Sequence, residues 1–233
     1  TAAEYRNFCN KVVPLVRLPK MTFTNADTLI AYVELANFSG NTLKSKPLKW
    51  ELIDKKMHVV KSGVFVSKDY PEGNGLPVGT ITLPLKKLAS PLQYRIRVSV
   101  PESDYVNSWD IWVYPEKVDD IAHDIYITNK LNEVAIQQLN EGKNVLLTLK
   151  RSDLKAEKGG SVELGFSTVF WNTSWTKNQA PHTLGILCDP EHPALSLFPT
   201  EYNSNWQWWE ILKEGAAINT DDFPVDFKAI VQP

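Results

Sequence analysis

The chain has 233 residues, roughly one and a half times a typical domain, so one large or two modest domains are expected. Hydrophobic residues make up 43% and charged residues 22%, a globular composition that excludes a disordered or collagen-like chain. With 25 Lys+Arg against 27 Asp+Glu the net charge is −2, which gives no general hold on nucleic acid or an anionic membrane, and no apolar run approaches the ~18 residues of a spanning helix.

Tryptophan is over-represented: 8 residues, as many as tyrosine. Thr1 carries neither an initiator methionine nor a signal pattern. The chain stops at Pro233, just after a strand-like run, so it is expected to be a fragment of a longer protein. Cys9 and Cys188 are too few for a disulfide framework and are expected as two free thiols.

From Tyr5 to Pro115 the helical period is nearly absent. Leu29, Ala31, Val33 and Leu35 form one face of a strand. Leu48, Trp50 and Leu52 alternate with Lys49, Glu51 and Ile53, with Trp50 as a core anchor. Asp54-Lys55-Lys56 is a charged turn into His58-Val59-Val60, and Ser62-Gly63 is expected to break the run before Val64-Phe65-Val66. Ile81, Leu83 and Leu85 alternate, with Pro84 suited to an edge or strand end. Residues 93–100 alternate strictly, polar at odd and apolar at even positions, the pattern of an antiparallel strand solvated on one face. Trp109, Ile111 and Val113 close a set of about seven strands, which predicts an immunoglobulin-like β-sandwich over residues 1–117.

The period then changes. Asp124–Thr128 is a short apolar strand, and Asn129 is placed to cap a helix carrying Leu131, Val134, Ala135, Ile136 and Leu139 inward, ended by Gly142. Val145–Leu149 is apolar on both faces, so a βαβ unit with a parallel sheet is expected. Residues 150–165 are expected as a loop. Strands are expected at Ser167–Trp171, Thr183–Leu187, Ala217-Ile218 and Phe227–Val231. Ser204–Lys213 is expected as a helix capped by Ser204 or Asn205, with Trp206, Trp209 and Ile211 or Leu212 inward and Trp208 outward. Residues 118–233 are thus predicted to be an α/β domain.

Three chemistries can be drawn from the dense stretch between Phe170 and Trp209. Cys188 with a histidine and an acid is a candidate nucleophile set for a hydrolase or transferase, although Ile186-Leu187-Cys188-Asp189-Pro190 lacks the glycines of a strained elbow. His182, Cys188, Asp189 and His192 match no standard zinc spacing, so no metal is assigned. Trp171, Trp175 and Trp208, with His182 and His192, are candidate carbohydrate-binding residues, because a pyranose packs its C–H face on an indole while polar neighbours bind its hydroxyls. Packing within the core or between domains is the competing role for every tryptophan. Asn37-Phe38-Ser39 and Asn172-Thr173-Ser174 are glycosylation sequons. No pair of carboxylates can be read as a glycosidase acid and nucleophile.

Five strings carry a resemblance: Phe8-Cys9-Asn10-Lys11-Val12-Val13-Pro14-Leu15, Asn107-Ser108-Trp109-Asp110-Ile111-Trp112-Val113-Tyr114-Pro115, Phe170-Trp171-Asn172-Thr173-Ser174-Trp175-Thr176, Pro181-His182-Thr183-Leu184-Gly185-Ile186-Leu187-Cys188 and Phe198-Pro199-Thr200. With them the chain resembles, over nearly its whole length, the C-terminal non-catalytic region of large β-galactosidase-like proteins of glycoside hydrolase family 2 from gut Bacteroidetes. In that family a (β/α)₈ barrel bearing two glutamates follows a jelly-roll sugar-binding domain, and neither is present here. The resemblance therefore implies an accessory role beside those N-terminal domains, with no catalysis and no cofactor of its own. A glycan remains a possible ligand, and no nucleic acid and no membrane insertion are expected. The resemblance also implies a periplasmic or cell-surface setting. The second half is similar to glutamine-amidotransferase-like domains with flavodoxin-like layers. Active members of that group carry a nucleophilic Cys between glycines and a later His-x-Glu, a pattern this chain lacks.

Overall fold

The computed structural model describes residues 1–118, 124–159, 163–165 and 183–233. They divide into two compact units, Thr1–Lys117 with Leu197–Pro199, and Val118–Ser196 with Thr200–Pro233.

The first unit opens on a helix the strand pattern conceals, α1 (Ala2–Phe8). Thr1 caps it by accepting a hydrogen bond from the Glu4 amide, and the Glu4 carboxylate accepts in return from the Thr1 amino group. Ten strands follow: β1 (Val12–Arg17), β2 (Thr22–Thr24), β3 (Thr28–Asn37), β4 (Leu43–Lys46), β5 (Lys49–Asp54), β6 (Val59–Val64), β7 (Lys68–Tyr70), β8 (Gly73–Pro84), β9 (Leu92–Ser99) and β10 (Val106–Tyr114). They form a three-stranded sheet, β1-β3-β8, a five-stranded sheet, β2-β10-β9-β5-β6, and a small β4-β7 ladder. Every pairing is antiparallel except β2 with β10.

The alternation predicted for β3 and β9 is observed. Leu29, Ala31, Val33 and Leu35 from one sheet meet Tyr94, Ile96 and Val98 from the other in one buried core, with Leu52, Ile81, Ile111 and Val113. Trp50 packs at the margin of this core. Pro84 ends β8, an edge strand, where its missing N–H costs no ladder bond. The expected break at Ser62-Gly63 is not a break, since β6 runs through both residues. Gly63 lies against the Trp50 indole, so a Cβ there would come within 2.5 Å of Nε1; the glycine serves a close approach rather than a turn.

Two buried amides stitch the sandwich. Asn107 donates to the Pro14 carbonyl at 3.1 Å, joining β10 to β1 across the sheets. Asn37 is fully buried, donates to the carbonyls of Asn41, Tyr70 and Pro71, and accepts from Ser39. Its sequon is therefore structural, because every polar atom of the amide is committed inside the fold. The other sequon, at Asn172, lies outside the described residues.

The face of the five-stranded sheet turned away from the core is electrostatic. Glu51 on β5 stands in register with Arg97 on β9 and binds it at 2.6 Å, and Lys49 closes on the other carboxylate oxygen at 2.7 Å. The ammonium of Lys49 first, and the Arg97 guanidinium with it, hold the Glu51 carboxyl below the usual carboxylate range against the opposing effect of burial. Arg95 and its register partner Asp110 make a second, bidentate pair.

The second unit has β11 (Ile125–Thr128), α2 (Glu133–Asn140) and β12 (Asn144–Leu147). β11 and β12 pair in parallel, so the expected βαβ unit is present. Asn132, not Asn129, caps α2 by accepting from the Ala135 amide. Of the five apolar residues expected inward only Ala135 is buried; Leu131, Val134, Ile136 and Leu139 are about half-exposed. The stretch 150–159, expected as loop, holds two single 3₁₀ turns, Arg151–Asp153 and Ala156–Lys158. Farther on, β13 (Leu187–Cys188), α3 (Trp209–Glu214) and β14 (Val231–Gln232) complete the described elements. β13 and β14 are only two residues each and pair antiparallel, shorter than the strands expected there. The run at Ala217-Ile218 is reduced to a single bridge between Ala216 and Glu163. No third parallel strand joins β11 and β12 among the described residues, so these residues do not build flavodoxin-like layers. The strand expected at Ser167–Trp171 lies outside them.

Candidate functional site

The stretch from Gly185 to Glu214 is where the sequence concentrates its chemistry. Two short runs face each other there. The Ser204 amide donates to the Ile186 carbonyl at 2.9 Å, the Ile186 amide to the Ser204 hydroxyl at 3.1 Å, and the Cys188 amide to the Tyr202 carbonyl at 2.8 Å. Gly185 opens this ladder with φ +114°, and any Cβ would stand 2.6 Å from the Ser204 hydroxyl, so both the backbone angle and the space require glycine.

The ladder buries Cys188. Burial chiefly, with the nearby Glu201 charge, pushes its thiol up, and the Thr200 hydroxyl only partly offsets this. A nucleophilic cysteine needs the opposite, a stabilised thiolate open to substrate. The candidate nucleophile is thus corrected to a small core residue, and no strained elbow surrounds it. Cys9, the other free thiol, is exposed.

Trp208 is also corrected. Expected to point outward, it is 6% exposed, and its indole N–H donates to the Thr200 hydroxyl at 2.8 Å. Thr200 thus serves both Cys188 and Trp208 in one small interior cluster. The inversion has a local cause. Trp206–Trp208 forms a 3₁₀ turn capped by Asn205, and α3 begins only at Trp209. The tighter first turn shifts the phase, so Trp208 and Leu212 go in while Trp206 and Trp209 are 49% and 43% exposed. Their rings lie 6.0 Å apart at 49°. The spacing of three between these two tryptophans already placed them on one face. On the buried side the Trp208 indole N–H has its acceptor, as a buried indole needs.

His192 is half-buried and caps the 3₁₀ turn Pro193–Leu195, its Nδ1 accepting from the Ala194 amide at 3.2 Å. That contact gives the ring a structural task. Asp189 accepts from the Glu191 amide and, through its carbonyl, from the His192 amide. These residues make a turn. Among the described residues no group of three or more His, Cys, Asp or Glu side chains is placed to hold a metal ion, and no helix is long and apolar enough to cross a membrane. Trp171, Trp175 and His182 lie outside the described residues.

Two family models match the chain, Domain of unknown function (DUF8488) over residues 27–115 and Domain of unknown function (DUF8487) over residues 126–233. No curated protein matches it. Several solved structures are similar over less than half of it. A Salmonella α-2-macroglobulin reacted with methylamine shares 21% identity and covers 47% of this chain at a TM-score of 0.37. The chain in turn spans 7% of that macroglobulin. The CARDB domain of a Pyrococcus furiosus protein shares 15% identity over 45% of this chain and 94% of its own, at a TM-score of 0.34. A Parabacteroides merdae β-glucuronidase shares 14% identity over 44% of this chain and 14% of its own, at a TM-score of 0.32. The likeness to glycoside hydrolase family 2 domains is thus distant and partial.

Proposed function

We propose that this chain is a non-catalytic accessory region of a family-2-like glycoside hydrolase, acting through protein–protein contact beside sugar-binding and barrel domains in a periplasmic or cell-surface enzyme. On this reading an immunoglobulin-like sandwich carries an α/β unit that serves as the contact element. The observation that carries it is the apolar surface of that unit. Ile125, Ile127, Val134, Ile136, Leu139 and Leu146 all stand between 40% and 54% exposed on one small βαβ motif. Parallel strands normally have both faces covered, and apolar patches of this kind mark interaction surfaces. The resemblance of the five strings to the family-2 C-terminal region supports the same reading. The buried, protonated Cys188 speaks against chemistry at the best nucleophile candidate.

The test is to assay the purified chain on aryl β-galactosides and β-glucuronides. Rates equal to buffer are expected; turnover by the chain would overturn the reading. In parallel, an apolar dye should bind the chain and lose most of its signal when Ile127 and Leu146 are both replaced by Asp. A signal that survives those changes removes the contact surface.

A second reading, carbohydrate binding, is favoured by the Trp206–Trp209 pair, two half-exposed indoles beside Asn205 and Glu210. Calorimetric titration with plant and host glycans, with Trp206→Ala and Trp209→Ala as controls, tests it. Absence of heat with every glycan rules it out.

A further inference from the structure

β8 carries the one Asn–Gly pair of the chain, Asn74-Gly75. It is an edge strand, bonded to β3 alone. Its register sets Leu76 opposite Leu35 and then Gly73 opposite Asn37. Asn74 and Gly75 thus face the single residue Ala36 as a bulge, with no register partner of their own. Both are exposed.

The bulge shapes the pair. Gly75 has φ +65°, a left-handed angle that bulged strands use and that favours glycine. A Cβ on Gly75 would meet nothing within 4 Å, so the space beside its amide is open. That amide donates to Asn74 Oδ1 at 2.9 Å. The side-chain carboxamide is therefore held against the main-chain nitrogen of the next residue, and such proximity favours reaction between them.

The contact alone is not enough. Asn107 Oδ1 accepts from the Ser108 amide at 2.9 Å in the same way. Asn107, however, is buried, stands in register with Val98, and donates from Nδ2 to the Pro14 carbonyl. Asn10 Oδ1 likewise accepts from the Lys11 amide at 2.8 Å, but its Nδ2 is buried and the following residue has a side chain beside the nitrogen. Among the described asparagines, Asn74 alone combines the contact with exposure, a bulge and a following glycine.

We infer that Asn74 is a self-modifying residue, converted to aspartate and isoaspartate through a cyclic imide. The Gly75 nitrogen gives up its proton to solvent water and attacks Asn74 Cγ. The new N–Cγ bond closes the ring as the Cγ–Nδ2 bond breaks, and Nδ2 leaves as ammonia with a proton returned from water. Water then opens the imide. Attack at Cγ restores the normal chain with an aspartate side chain. Attack at the main-chain carbonyl leaves the chain running through Cγ, as isoaspartate. Ring closure breaks no register pair of β3 with β8, so the folded state does not oppose it. Each product puts a carboxylate on an edge strand, where charge opposes pairing with a further strand. The site lies in the first unit and does not depend on the accessory role proposed above.

The experiment incubates the whole chain in warm neutral buffer beside a synthetic peptide of residues 70–79 and the variant Asn74→Gln, whose longer carboxamide would need a larger ring. Peptide mapping by mass spectrometry follows the Asn-to-Asp mass change, and an isoaspartyl methyltransferase reads isoaspartate. Asn74 is expected to convert in the folded chain no more slowly than in the peptide, and at least about tenfold faster than Asn107 or Asn10, because only there can the reacting groups close. Isoaspartate is expected among the products, and Asn74→Gln is expected to show no conversion at that position. Slower conversion in the folded chain than in the peptide, conversion at Asn107 or Asn10 that keeps pace, or aspartate without isoaspartate each overturns the inference.

Discussion

In the sandwich, Leu29, Ala31, Val33, Leu35, Ile96 and Val98 are each 2% exposed or less, while in the βαβ motif Ile125, Ile127, Val134, Ile136, Leu139 and Leu146 stay 40–54% exposed. Both sets are aliphatic and both sit on regular elements. They differ in what faces them. A strand in the first unit has a second sheet about 10 Å away to close on. A pair of parallel strands with one helix lacks enough layers to cover both faces. Fully burying such a side chain contributes roughly 1.5–3 kcal/mol, so the first set holds a core together while the second set stays largely in contact with water.

The contrast is open to measurement. The largest effect is expected for Ile96→Ala, which empties a filled position and should cost about 2–5 kcal/mol of unfolding free energy in urea. Ile127→Ala, a comparable truncation in the second unit, should cost no more than about 1 kcal/mol. Equal losses would erase the distinction between the two regions.

Asn37→Ala comes next. It leaves the Tyr70, Pro71 and Asn41 carbonyls without their donor inside the sandwich, and about 1–3 kcal/mol is expected to be lost. The same burial predicts that Asn37 stays unmodified when the chain passes through a glycosylating host, which intact mass determines directly.

Glu51→Gln should have a smaller effect, about 1 kcal/mol, since both cationic partners remain partly in water. Its pH signature is more telling. Because the folded carboxyl lies below its usual range, its contribution is present above that range and is lost as pH falls through the folded value. Urea midpoints of the parent chain should drop on acidification more steeply than those of Glu51→Gln. A parallel pair of curves would show that the ladder contributes nothing.

The smallest perturbation is a thiol probe. Cys9 should react rapidly in the folded chain and Cys188 at least about tenfold more slowly, the two converging in denaturant. Rapid labelling of Cys188 in the native chain would restore it as a reactive group.

Strand positions were legible because a period of two is a local signal. In β9 the odd–even alternation of residues 93–100 names the buried face without any knowledge of the partner sheet. Even α1 left its mark, the Thr1 and Glu4 pair of a capping box, though the strand pattern around it hid the signal. The site was less legible. Trp206, Trp208 and Trp209 are visible as a cluster, but a 3₁₀ turn moves the phase, and the hydroxyl that draws Trp208 inward comes from Thr200.

Sequence by itself determined the strand-rich first half, the change of period near residue 118, the βαβ motif and the absence of a glycine-flanked cysteine elbow. These follow from nearest neighbours along the chain, where propensity and alternation act. Only the tertiary structure decided which strands share a sheet, that β2 runs parallel to β10, that Gly63 makes room for an indole, that Asn37 is a structural amide, and which tryptophan is buried. Those outcomes depend on groups far apart in sequence, and burial is fixed by whether a distant partner can cover a side chain and satisfy its polar atoms.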